Sequence, residues 1–337
     1  MRKKDQEENS LNNITKVEKL FSIFNETAGV LQEELSCTYL EALAETGENM
    51  FHGDVVQDEL SEVTLKRLRK QYGTVSLAAF SHEEIRNAYQ LAILKGMQEN
   101  VQPNHQMTPD AVGMFMAYII DKYMRGRTGF TLLDPVVGTG NLLFTILNHF
   151  RGRAGSSYGV DIDDLLIRLA YVGANLQEQA VQLYNQDSLE PLLIDPVDAV
   201  VCDLPVGYYP NDARASEYEL KADEGHSYAH HLLIEKSMDH VKDGGFLFLV
   251  IPNSLFETAE APKLNAFVKE KAFIQGLIQL PHSMFKSKAA GKSIFVLQKK
   301  GEGITQPKKA LLVDLPRFSD AAAMQDIMKK IEDWFKD

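Results

Sequence analysis

Phe130-Thr131-Leu132-Leu133-Asp134-Pro135-Val136-Val137-Gly138-Thr139-Gly140-Asn141-Leu142-Leu143 runs from a short apolar stretch, through an acid, into a glycine turn and then a helical pattern. A strand–turn–helix unit of this kind opens a parallel α/β sheet. Two glycines one residue apart let backbone come close to a ligand. A dinucleotide fingerprint needs a third glycine at position 143, where this chain has Leu143. A phosphate cradle of the GxxxxGK type is also missing. Asp134 stands four residues before Gly138. A carboxylate there repels a pyrophosphate and attracts an ammonium, which favours an amino-acid-bearing cofactor such as S-adenosylmethionine over a nicotinamide dinucleotide.

Similar apolar runs follow at Ser157–Val160, Val181–Tyr184, Ala199–Cys202, Phe246–Ile251, Ile274–Gln279 and Ser293–Gln298, most of them separated by helical patterns. Alternating β and α predicts a doubly wound, Rossmann-like sheet of seven strands. Only a short link joins the last two runs, and it lacks a helix, so the final strand is expected to return antiparallel. The second run ends at Asp161-Ile162-Asp163, about 20 positions beyond the glycine turn, where an acid accepts ribose hydroxyls. The third is followed by Asp187, placed to accept from an adenine amino group. The fourth runs into Asp203-Leu204-Pro205-Val206-Gly207-Tyr208-Tyr209. Each acid alone is common turn chemistry. Together they line the carboxyl edge of a sheet, where ligands bind.

Outside this region the texture changes. Residues 1–13 are polar and lack an apolar segment, so they are read as a disordered lead-in and not a signal peptide. Residues 14–100 are expected to form an all-helical domain. Val17, Leu20, Phe21, Phe24, Ala28, Leu31 and Leu35 recur at spacings of three and four, and Tyr39, Leu40, Leu43 and Ala44 continue the pattern until Gly47 and Gly53 break it. Ser81 and Glu84 form a capping-box signal for another helix. Up to Asn100 there are 11 basic and 17 acidic residues, about half of the net charge of the 337-residue chain, 35 − 47 = −12. An acidic amphipathic helical layer of this kind suggests a protein–protein surface, most simply a homodimer. Residues 101–318 form the α/β domain, and 319–337 a C-terminal helix.

Apolar residues make up 45% of the chain and charged residues 24%, which excludes a disordered or fibrous protein. The net acidity disfavours non-specific coating of nucleic acid. Cys37 and Cys202 lie far apart, as in a reducing cytoplasm, and no apolar run is long enough for a membrane span. His226, His230 and His231 lack the acid that a zinc-type helix motif requires, so no metal is expected.

The order of these pieces resembles the class I S-adenosylmethionine-dependent methyltransferases. More narrowly, it resembles the N6-adenine DNA methyltransferases and the modification subunit of type I restriction systems. The resemblance covers residues 104–315. It is carried by Gln106-Met107-Thr108-Pro109 before a helix, by the Asp134 to Gly140 loop, and by His226 to His231 leading to Gly244-Gly245 and Pro252. Leu280-Pro281-His282-Ser283-Met284-Phe285, followed by Ile294-Phe295-Val296-Leu297, completes it. It implies S-adenosylmethionine held by Thr108, Asp134, Gly138, Gly140, Asp161, Ile162 and Asp187. It also implies an amino group of adenine in DNA as the methyl acceptor.

The family's catalytic motif is Asn/Asp-Pro-Pro-Tyr/Phe. A side-chain oxygen and the next carbonyl bind the two amino hydrogens and disperse the positive charge that develops on the nitrogen. Here Asp203 and the Leu204 carbonyl match those acceptors, and Pro205 stiffens the turn. An Asn amide oxygen would accept equally well at position 203. The aromatic slot, which stacks on a flipped base, is Val206, so Tyr208 or Tyr209 is expected to bind the substrate. No segment is large enough to read a DNA sequence on its own. A cofactor-binding regulatory protein that has lost catalysis, or a methyltransferase acting on RNA or a protein amide, remains open.

Overall fold

The computed structural model describes residues 15–99 and 107–336. The expected lead-in, the linker at 101–106 and Gln106 lie outside these residues. Four helices come first: α1 (Lys16–Leu35), α2 (Tyr39–His52), α3 (Glu62–Tyr72) and α4 (His82–Glu99). Thr15 with Glu18 and Thr38 with Glu41 close capping boxes on α1 and α2. Ser81 and Glu84 exchange the bonds expected of them, at 2.8 and 3.2 Å.

Gly47 does not break α2. A Cβ there would run into the Val172 side chain, so the missing side chain lets another helix pack close. Gly53, at φ +71°, is the residue that ends α2.

The α/β part runs α5 (Asp110–Tyr123), β1 (Phe130–Asp134), α6 (Asn141–Phe150), β2 (Ala154–Asp161), α7 (Asp164–Leu176), β3 (Val181–Asn185) and β4 (Val197–Asp203). It continues with α8 (Asp212–Ala215), α9 (Ala229–His240), β5 (Val241–Pro252), α10 (Ala261–Lys271), β6 (Ala272–Gln279), β7 (Lys292–Lys299), β8 (Leu311–Asp314) and α11 (Ala321–Trp334). The sheet order is β3-β2-β1-β4-β5-β7-β6-β8. As expected, β7 returns antiparallel, pairing with both β5 and β6. The sheet has eight strands where seven were expected. The added strand, β8, lies parallel to β6 at the edge. It has four residues and only its first is buried, so it carries too little apolar pattern to be read from sequence.

Successive strand residues serve opposite faces. Leu132, Val201 and Phe248 pack with α5, α6 and α11, while Leu133, Val200 and Leu249 pack with α9 and α10. Burial on both faces is why these runs are continuously apolar and do not alternate. Helix α7 is doubly apolar: Ile167, Ala170 and Ala174 join the sheet core, whereas Leu169, Val172 and Leu176 join the core of the four N-terminal helices. The apolar stripe of the helical layer therefore closes on α7 of the same chain.

Candidate functional site at the carboxyl edge of the sheet

Strands β2, β1 and β4 are neighbours and parallel, so Asp161, Asp134 and Asp203 end side by side. Chain order reverses direction between β1 and β4, the switch point where ligands bind in open α/β sheets. Gly138 (φ +52°) and Gly140 (φ +83°) take left-handed conformations, so the backbone turns there without a side chain in the way. The Asp161 carboxylate braces this turn, accepting from the Gly138 N–H at 2.7 Å and the Asp163 N–H at 3.0 Å.

Asp134 is 1% exposed. The Val136 N–H donates to it at 3.1 Å, and among the described residues no ion pair reaches it. Burial pushes its carboxyl up to about 8; the Val136 N–H works against that, while the charges of Asp161 and Asp203 add to it. The site thus holds a buried acid that no cation among the described residues pairs with. Ile162, which follows Asp161 at the end of β2, is 69% exposed.

Thr108, just ahead of α5, is buried, and its Oγ1 donates to Asp203 Oδ2 at 3.0 Å. Lys292, at the start of β7, donates to Asp203 Oδ1 at 2.7 Å. The Leu204 N–H is bound to the Val250 carbonyl, Leu204 is fully buried, and Pro205 and Val206 are exposed.

Asp187 lies one step farther out. Its carboxylate accepts from the Leu189 N–H at 2.9 Å and from the Tyr209 hydroxyl. Tyr209 is therefore turned inward, only 8% exposed and packed in the core beneath β4, and it does not present a face to a substrate. Sequence reasoning gave it that role because two tyrosines follow the motif. The backbone instead alternates them, with the Tyr209 N–H bound to the Ser227 carbonyl. Tyr208 points outward and stacks on Tyr228, with ring centroids 4.9 Å apart and 17° between planes.

Three further parts were missed by sequence reasoning. Lys292 lies 89 residues from Asp203, and only strand register joins them. Tyr228 needed the Tyr208–Tyr228 bridge to be visible. Arg86, 3% exposed, pairs with Asp110 at 2.9 Å and donates to Asn141 at 2.6 Å. Asn141 in turn donates to the Thr108 carbonyl at 2.9 Å. A helix of the N-terminal layer thus fixes the glycine turn and the Thr108 segment together.

This sheet, glycine turn and row of acids define the class I methyltransferase fold. A sequence model of the N-6 DNA methylase family matches residues 87–336, and the chain belongs to that family. A model of the YtxK N-terminal helical domain matches residues 18–97. The protein YtxK of Bacillus subtilis (strain 168) is 49% identical over 318 residues, 94% of this chain and 97% of its own length. A solved structure from Listeria monocytogenes, provisionally assigned to the class I S-adenosylmethionine-dependent methyltransferases, is 44% identical. It covers 95% of this chain and 99% of that one, with a TM-score of 0.88. The type I restriction-modification methyltransferase subunit of Streptococcus thermophilus shares the fold at 18% identity, with 93% and 73% covered and a TM-score of 0.62. No described helix is long and apolar enough to cross a membrane.

Proposed function

We propose that this chain binds S-adenosylmethionine at the carboxyl edge and transfers its methyl group to an amino nitrogen, with adenine in DNA as the acceptor class. The observation that carries this reading is Asp134, a buried acid with no cation partner among the described residues, set beside a left-handed glycine turn. An amino-acid ammonium supplies that cation. The residues present fit the cofactor: Asp134 and Thr108 at its methionine end, Gly138 and Gly140 against its backbone-facing side, Asp161 at the ribose. Ile162 and Asp187 fit its adenine.

Asp203 and the Leu204 carbonyl hold the acceptor amine. A carboxylate has about four acceptor positions, so Asp203 keeps lone pairs beyond those used by Thr108 and Lys292. When bound, the cofactor would supply an electrophilic sulfonium methyl, its thioether being the leaving group, and the methylated nitrogen would release a proton to solvent. Tyr208, stacked on Tyr228, is the aromatic surface nearest in sequence to the empty Val206 slot.

The test is transfer of radiolabelled methyl groups to unmethylated DNA, to RNA and to lysate protein. Label in DNA supports the reading. Label confined to RNA or protein moves the acceptor class. A second reading, a cofactor-binding protein without transfer, is favoured by Val206, 56% exposed where the family pattern has an aromatic ring. It predicts cofactor binding with no label transferred to any of the three. The homodimer expected from the helical layer is tested by light scattering, and the packing of that layer on α7 supplies a partner for its apolar stripe without a second copy.

A further inference from the structure

Lys292 opens β7 opposite Pro252 of β5, and Val250 of β5 lies opposite Asp203 of β4. This register carries an ammonium across the sheet to the carboxylate that the proposed reaction uses. The two side chains are 23% and 16% exposed, so water screens the pair only in part. Around it stand Thr108 before α5, Asp134 at the end of β1, Asp161 at the end of β2 and Cys202 within β4. The ion pair at this site is the one between Lys292 and Asp203.

We propose that Lys292 and Asp203 act as one charge-neutral unit, with Lys292 the positioning residue that lets a carboxylate serve where the family's commoner choice is a neutral amide. This inference rests on the proposed methyl transfer. The acceptor nitrogen becomes positive as its bond to the methyl carbon forms. A paired ammonium nearby is harmless to that charge; an unpaired one opposes it. Sequence alone makes Asp203→Asn a mild change, because the amide oxygen is an equivalent acceptor. Lys292 reverses that expectation. The single substitution strands a half-buried ammonium beside the reacting nitrogen, and removing the ammonium as well restores neutrality.

The experiment uses four full-length proteins: the parent, Asp203→Asn, Lys292→Met and the double variant. Thermal unfolding without ligand is the first readout. Each single variant is expected to lose about 2–4 °C or more, because breaking one side of a partly buried pair leaves the other uncompensated. The double variant recovers most of the loss. The second readout is methyl transfer to DNA with kcat and KM resolved separately. Asp203→Asn is expected to lose at least about tenfold in kcat with cofactor affinity little changed, and the double variant to regain activity over that single. Additive losses in unfolding, or Asp203→Asn as active as the parent, would overturn the inference. Failure of the parent to methylate DNA, RNA or protein counts against the proposed function. The unfolding cycle still decides whether the pair behaves as one unit.

Discussion

At the residue scale, the candidate site is built on acids that the sequence places at or just past strand ends and that the fold treats differently. Asp161 braces the glycine turn, Asp187 is tied to Tyr209, Asp203 is paired with Lys292, and Asp134 is buried with no cation beside it among the described residues. The positions were legible, because an acid following an apolar run is plain in the sequence. Their partners were not, because apart from the turn contacts they come from segments distant in sequence: Tyr209 and Thr108 from loops, and Lys292 from another strand. Asp134 gives a pH signature. Its folded pKa, about 8, lies above the unfolded carboxyl value, so the folded state binds the extra proton. The stability tied to this group is therefore fully present below about pH 4 and is lost as the pH rises toward 8. Asp134→Asn is expected to flatten the fall in melting temperature between pH 6 and pH 8, about the upper half of that window. A fall as steep in the variant as in the parent would show that other groups cause it.

At the element scale, the central strands β1, β4 and β5 were legible because burial on both faces makes them nearly continuously apolar, and the helical layer because its stripes repeat at three and four. What escaped was whatever depends on contact between elements. The short edge strand β8 gains its order from pairing with β6. Gly47 looks like a helix breaker in isolation, yet it is the close-approach point between α2 and α7. Gly47→Ala is a favourable change in an isolated helix, worth about 1 kcal/mol. Here the new methyl meets Val172, and overpacking of this kind costs about 1–3 kcal/mol. Urea unfolding is therefore expected to show net destabilisation. A stabilised variant would mean that the helices separate easily.

At the scale of the whole molecule, the N-terminal helices and the methyltransferase sheet share α7 and the Arg86–Asp110–Asn141 network. The two family matches overlap on residues 87–97, within α4, the helix that carries Arg86. The helical layer is built into the site rather than appended to it. Arg86→Ala leaves Glu83, Asp110 and Asn141 without their guanidinium partner and is expected to cost about 1–3 kcal/mol, less than for a fully buried pair because Glu83 and Asp110 are partly exposed. It is also expected to weaken cofactor binding, because Asn141 holds the Thr108 carbonyl. Chemical unfolding and ligand titration on the same preparation check both. Unchanged affinity with normal folding would separate the layer from the site.

The central claim, that S-adenosylmethionine binds beside Asp134, is tested most directly by isothermal titration of the full chain near pH 7 in two buffers of different ionisation enthalpy. The cofactor's cations draw the buried carboxyl into its charged form, so saturable binding with release of a proton is expected, and Asp134→Asn should bind more weakly with the proton signal gone. Absence of binding by the parent, or binding with the same proton release in Asp134→Asn, would contradict the account.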